Sequence, residues 1–302
     1  MLFLVLLGVS ILSFAFSSIS NTDLAEILAR RQGGTPTPEL VESIRIEFGL
    51  NKSIVERYGI WLSNVIRGDL GISYMTRSPV WDNMKLYLPK TVVLSGLSFL
   101  LTIICTLPLG LLCARYRDGL FDSIMRAVTV LGICLPVFWL GFLLLLAFAV
   151  KVPIFSVAAT SGIKGYILPS IALSLPMICT GIRIFRTGLL KELSSDYGTY
   201  LRSRGFSKGY ILCRHAFRNA LPPMVTWFAS YAGYLIAGSA VVEKVFSIKG
   251  LGTHLIDAVI ARDIPTISAS VLIVAMVFVV FNLVADGVNL MICPRTIGGT
   301  DD

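Results

Sequence analysis

Long apolar runs alternate with polar stretches along this chain. Six runs reach the roughly 20 residues needed to cross a hydrocarbon core: 1–19, 91–114, 125–150, 166–187, 223–242 and 267–291. Their apolar residues are gathered together instead of recurring at amphipathic spacing, so the pattern predicts an all-α polytopic membrane protein with six transmembrane helices. The organisation that follows is a first transmembrane helix over 1–19, a helical insert over 20–90, a transmembrane core over 91–291 with its main polar loop at 188–222, and a tail over 292–302. The first run lacks a basic leader and a small-x-small site before Ser17, so it reads as a retained span and not as a cleaved signal.

The 20–90 insert carries nine Lys/Arg and eight Asp/Glu and has its own helical signals. Thr37-Pro38-Glu39 is a helix start with proline at the first position. Leu40, Ile44 and Phe48 follow at spacing four, and Gly49 closes the helix. Ser53-Ile54-Val55-Glu56 is a capping box. Ile54, Tyr58, Trp61, Leu62 and Val65 then trace one face until Gly68. Such an insert is a cap on the membrane face or a dock for a soluble partner. Pro108, Pro136, Pro169 and Pro176 fall within the apolar runs, where each frees a backbone carbonyl.

The formal charge is +8, but the cations lie in loops between spans, so the balance speaks of topology and not of nucleic acid. Arg115, Arg117 and Arg126 mark one basic loop. From Arg183 to Arg218 there are eight Lys/Arg against two acids. Placing both loops inside puts both termini in the cytoplasm. The cysteines, Cys105, Cys113, Cys134, Cys179, Cys213 and Cys293, form no C-x-x-C pair, and none falls in a predicted external loop, which argues against a disulfide framework. Together with two histidines they show no metal-ligand spacing. There is no G-x-x-x-x-G-K-[ST] for ATP phosphates, no H-E-x-x-H and no G-x-S-x-G. These absences point away from an enzyme.

The densest information lies between Asp196 and Pro223, DYGTYLRSRGFSKGYILCRHAFRNALPP. Two helices fit it, one from about Leu189 to Arg204 closed by Gly205, one from Ser207 to Ala220 stopped by Leu221, Pro222 and Pro223. Gly205 can take the left-handed conformation of a sharp reversal. Phe206, Ile211, Leu212 and Phe217 are ordered apolar positions that a merely lipid-touching basic loop does not need. The segment reads as a projecting element that docks on a cytoplasmic partner.

The pattern D-Y-x-x-x-x-R-x-R-G followed by R-H-A-x-R-N-A-L-x-P resembles the cytoplasmic signature of inner-membrane permease subunits of binding-protein-dependent ABC importers, in their peptide/nickel group. FGLNK (48–52), YGIWL (58–62), GDLGIS (68–73), LPLG (107–110), RYRD (115–118), VEKVFSIKGLG (242–252) and RDIP (262–265) resemble further segments of that group, in order along nearly the whole chain. Two segments depart, at four positions. Thr199, Tyr200 and Leu201 stand where the general motif has Glu-Ala-Ala, and Lys249 stands where proline is usual. TPTPE (35–39), LPKT (88–91) and the run from Pro136 to Phe148 look closest to nickel-type permeases.

The resemblance implies half of a translocation pathway for nickel or a nickel chelate in the bacterial plasma membrane, with di- or oligopeptides as the alternative solute. It implies a second homologous permease, one or two cytoplasmic ATPase subunits that bind ATP and magnesium, an extracytoplasmic solute-binding protein, and no cofactor in this chain. It also implies that Asp196, Tyr197, Leu201, Arg202, Arg204, Gly205 and Phe206 form the ATPase-coupling element. Candidates for the pathway or its gate are Met177, Cys179, Glu243, Asn282 and Asp286. Met177 and Cys179 are soft ligands that more often simply pack. Asn282, Asp286 and Asn289 form a polar stripe in the last span, where an acid marks function or reaches the interface. Glu243 with Lys244 reads as an ion pair at the outer mouth. An ATP-independent channel or receptor is the competing class.

Overall fold

The computed structural model describes residues 2–18, 24–31, 36–156 and 162–292. Residues 19–23, 32–35 (Thr35 among them), 157–161 and the tail from Cys293 lie outside them. The helices are α1 (Leu2–Ser18), α2 (Leu24–Arg31), α3 (Pro38–Glu47), α4 (Ile54–Ile66), α5 (Val80–Arg115), α6 (Leu120–Cys134), α7 (Val137–Leu145), α8 (Lys164–Ser194), α9 (Asp196–Ser203), α10 (Lys208–Tyr210), α11 (Phe217–Val245), α12 (Leu251–Ala261) and α13 (Ile264–Ile292). Wide π-turns at Leu146–Lys151 and Ile211–Ala216 extend α7 and join α10 to α11. Among the described residues there is no strand, and Ile72 and Pro79 make an isolated bridge. The chain forms two compact units, Met1–Lys90 with Lys249–Met276, and Thr91–Ile248 with Val277–Asp302.

The first unit realises the local signals of the insert. Thr37 Oγ1 accepts from the Leu40 N–H at 3.3 Å. Ser53 Oγ accepts from the Glu56 N–H, and Glu56 Oε2 accepts from the Ser53 N–H. These reciprocal bonds satisfy donors that a helix start leaves orphaned. Tyr58, Trp61, Leu62 and Val65 pack with Phe14, Ile264 and Leu272, as the face predicted, while Ile54 remains exposed. Asp263 follows the left-handed Arg262 and is fully buried. Its carboxylate accepts from the Ser73 hydroxyl, the Tyr74 N–H at 3.0 Å and the Thr266 hydroxyl at 2.8 Å, clasping the 73–78 turn to the start of α13.

The second unit centres on α8. One cluster gathers Phe185, Leu189, Ile211, Leu212 and Met224; another gathers Leu94, Leu173, Leu235, Val242 and Phe246. The buried face of α5 carries a row of hydroxyls, Thr91, Ser95, Ser98, Thr102 and Thr106. Several return a hydrogen bond to the preceding turn, as Ser98 does to the Leu94 carbonyl and Thr102 to that of Ser98. Small polar side chains of this kind let apolar helices approach closely.

Three expectations change. Among the described residues, four continuous helices are long and apolar enough to cross a membrane: Val80–Arg115, Lys164–Ser194, Lys208–Val245 and Ile264–Ile292. The 125–150 run is instead two helices bent by 102° at Leu135–Pro136, a fifth span if the pair counts as one. Pro136 has no N–H to donate and holds Leu135 extended, so the helix cannot run through. Pro222 and Pro223, in contrast, do not stop their helix. The carbonyls they leave without helical partners belong to the exposed Arg218 and Asn219, where water can reach them. Finally, no single helix covers Leu189–Arg204, because Ser195 is extended and starts a new one.

Candidate coupling site

Between α8 and α11 the chain makes a compact knuckle. Ser195 Oγ donates to the Glu192 carbonyl at 2.7 Å and accepts from the Gly198 N–H at 3.2 Å, so it ends one helix and opens α9. At Gly198 a side chain is excluded: a Cβ there would stand 2.7 Å from the carbonyl oxygens of Glu192 and Leu193. Leu201 points inward, 6% exposed, among Leu193, Ile211 and Leu212. Arg204 caps α9, and Gly205 turns the chain with φ +87°. The Phe206 N–H closes the turn on the Leu201 carbonyl at 3.2 Å. Ser207 then caps α10 by accepting from the Tyr210 N–H.

What Leu201 anchors is a mostly polar and aromatic surface. Asp196, Tyr197, Tyr200, Arg202, Arg204, Phe206 and Tyr210 are exposed. Phe206 stacks on Tyr210 with centroids 5.3 Å apart. Arg204 lies 5.7 Å from the centre of the Tyr200 ring. Tyr197 Oη and His215 Nδ1 share a hydrogen bond of 3.0 Å, and Asn219 Nδ2 donates to Glu192 Oε2 at 3.1 Å. These two bonds tie α9 to the π-turn and α8 to α11. Two arginines among four exposed aromatic rings offer cations and flat apolar area on one element, the composition that interface anchors favour.

Beside the knuckle, Arg186 of α8 grips Asp122 of α6 with both nitrogens, Nε to Oδ1 at 2.6 Å and the terminal nitrogen to Oδ2 at 2.7 Å. Asp122 is fully buried and also accepts from the Asp118 N–H at 3.0 Å. Paired forks of this kind fix orientation as well as charge.

The model of binding-protein-dependent transport system inner membrane components matches residues 106–298, and a companion model of the N-terminal part of such membrane components matches residues 1–95. The chain belongs to this family. A Brucella abortus protein named as a peptide transport system permease is 34% identical over 299 residues, covering 96% of this chain and 94% of its own length. The glutathione transport system permease protein GsiC of Escherichia coli K12 is 32% identical over 286 residues, covering 95% and 92%. Inward-facing structures of the MetNI methionine ABC transporter contain a chain of similar fold, with a TM-score of 0.57 at 15% identity, covering 69% of this chain and 95% of that one. As a family member the chain is a multi-pass, non-catalytic permease subunit of an ABC importer, with ATP hydrolysis left to separate subunits.

The candidate pathway residues and their neighbours divide by position. Glu243 is fully buried; its Oε1 accepts from the Thr91 hydroxyl at 2.6 Å and the Ser239 hydroxyl at 3.0 Å. Cys179 is buried against Gly132 of α6, and Met177 packs on the cluster around Leu173. Asn282 donates to the Phe278 carbonyl, Asn289 donates to Thr226 Oγ1 at 3.0 Å, and Asp286 is exposed. In the first unit His254 is buried and stacks on Tyr87 at 4.3 Å. Burial pulls its imidazole below the ordinary value, against the opposing pull of Asp263 and Asp257.

Sequence reading missed Gly198, Tyr200 and Tyr210, and it missed the Asp122–Arg186 pair. The Ser195–Asp196 start is a regular N-cap signal that the neighbouring helix pattern masked. The pair, 64 residues apart, has no local signal at all.

Proposed function

We propose that this chain forms half of the translocation pathway of an ATP-driven importer of peptide-like solutes, with the Asp196–Phe206 knuckle as its coupling element. The observation that carries the reading is the anchored knuckle itself: Leu201 and Gly198 fix it to the bundle while Tyr197, Tyr200, Arg202, Arg204 and Phe206 stay exposed. Peptide-like solute is supported by relatives named for peptide and glutathione transport across more than nine tenths of the chain. The nickel expectation rested on three short segments and finds no support among those relatives.

In this account six spans cross the bilayer, with α1 and the bent α6–α7 pair counted among them, and both termini lie in the cytoplasm. A second, homologous permease completes the pathway. An extracytoplasmic binding protein delivers solute to the outer face. Cytoplasmic ATPase subunits, holding ATP and magnesium, engage the knuckle. ATP shifts the pathway between outward- and inward-open arrangements only as far as those contacts differ between the two states.

The test is the assembled importer in proteoliposomes. Arg202→Glu with Arg204→Glu, and separately Gly205→Pro, are expected to abolish binding-protein-stimulated ATP hydrolysis and peptide uptake while the subunit still inserts. Wild-type stimulation in correctly inserted variants contradicts the coupling role. Nickel uptake with no peptide uptake by the unaltered importer contradicts the solute class.

A further inference from the structure

From Pro223 onward the exposed positions of α11 recur every three or four residues and so form one row along the helix: Pro223, Thr226, Ser230, Tyr234, Ala237, Val241 and Lys244. Its membrane-depth part is unlike the exposed rows of neighbouring spans. On α5 the exposed residues include Val93, Leu100 and Ile104, and on α13 they include Val280, Leu283 and Val284. Those are side chains that hydrocarbon accepts. Thr226, Ser230 and Tyr234 are hydroxyls.

A second observation lies on α13. Asn289 donates to Thr226 Oγ1, and Phe278 fills the space beside Gly233, so the two helices run side by side along this stretch. Asn282 and Asp286 stand seven and three residues before Asn289 and therefore share its face. Asp286 is exposed six residues before the end of the apolar α13. A carboxylate facing lipid is strongly disfavoured, so it faces water or a ligand. A tightly packed partner helix is the other occupant to consider. The ring of Tyr234, 47% exposed at the centre of the row, opposes it, because close helix contact favours small residues there.

We propose that the Thr226–Ser230–Tyr234 row, bordered by Asn282 and Asp286, is the wet track along which an extended peptide-like solute passes. The Thr226 and Ser230 hydroxyls donate to the Pro222 and Thr226 carbonyls at 3.3 and 3.2 Å, and their oxygens can still accept from successive amide N–H groups without demanding a particular side chain. Asp286, at the end nearer the knuckle, receives the free ammonium of the solute. The solute class rests on the peptide reading above, whereas the wet track does not.

The experiment uses the complete importer in nanodiscs, with native cysteines replaced by alanine. Thr226→Cys, Ser230→Cys and, for comparison, Leu100→Cys are exposed to a charged, membrane-impermeant thiol reagent with and without ATP. The first two are expected to be modified at rates that differ about tenfold between nucleotide states, and Leu100→Cys to stay unmodified. A Ser230→Cys thiol as inert as Leu100→Cys in both states overturns the track. In uptake assays Asp286→Asn is expected to raise KM about tenfold for a peptide with a free amino terminus and to leave its N-acetylated form unchanged. An equal effect on both peptides overturns the ammonium assignment. Labelling as expected in an importer that moves no peptide supports the track and overturns its assigned solute.

Discussion

At the scale of single residues, the second unit depends on groups whose partners are far away in sequence. Asp122 is fully buried beneath a two-pronged grip from Arg186. The pair itself need not be strongly stabilising, since desolvation offsets its attraction, but removing one member leaves a charge stranded. Asp122→Ala is therefore expected to destabilise the subunit by about 3–5 kcal/mol, and Asp122→Asn with Arg186→Gln by much less. Thermal unfolding of the purified complex measures both. Equal losses in the two variants would show that the pair's charge is not what matters. Nothing around Asp122 or Arg186 in the chain announces this contact, which exists only once α6 lies along α8.

At the scale of elements, what was readable was what local chemistry controls. The Ser53–Glu56 box, the Thr37 cap and the Gly205 reversal each act within four residues, and each sits where the sequence placed it. The failures came where one local rule competes with another. Pro136 breaks an apolar run that length alone made a single span, whereas Pro222 and Pro223 are carried through because their orphaned carbonyls reach water. α2 and α12 are too short to stand out from polar or connecting sequence. The coupling roles proposed for the knuckle rest on family likeness, while its geometry needed the fold. Gly198 is the clearest example. A methyl group there meets two backbone oxygens that cannot yield, so Gly198→Ala is expected to displace α9 and remove stimulated ATPase activity. Gly209, with open space around its Cβ direction, is the control. An equal response of the two variants in an ATPase titration against binding protein would refute the role of that close approach.

At the scale of the whole molecule, apolar helices, an insert closed by the Asp263 clasp and an anchored basic knuckle describe a subunit that transmits work without performing chemistry. The family match fixes the class of machine. What remains to be tested is where force enters. The most direct measurement is site-specific photocross-linking in the intact importer, with a photoreactive residue at Tyr200 on the knuckle and, in a second variant, at Ile260, 74% exposed on α12. A cross-link to the ATPase subunit is expected from position 200 and none from position 260. A cross-link from 260, or silence at 200 in an importer that still hydrolyses ATP on demand, would contradict the coupling role of the knuckle.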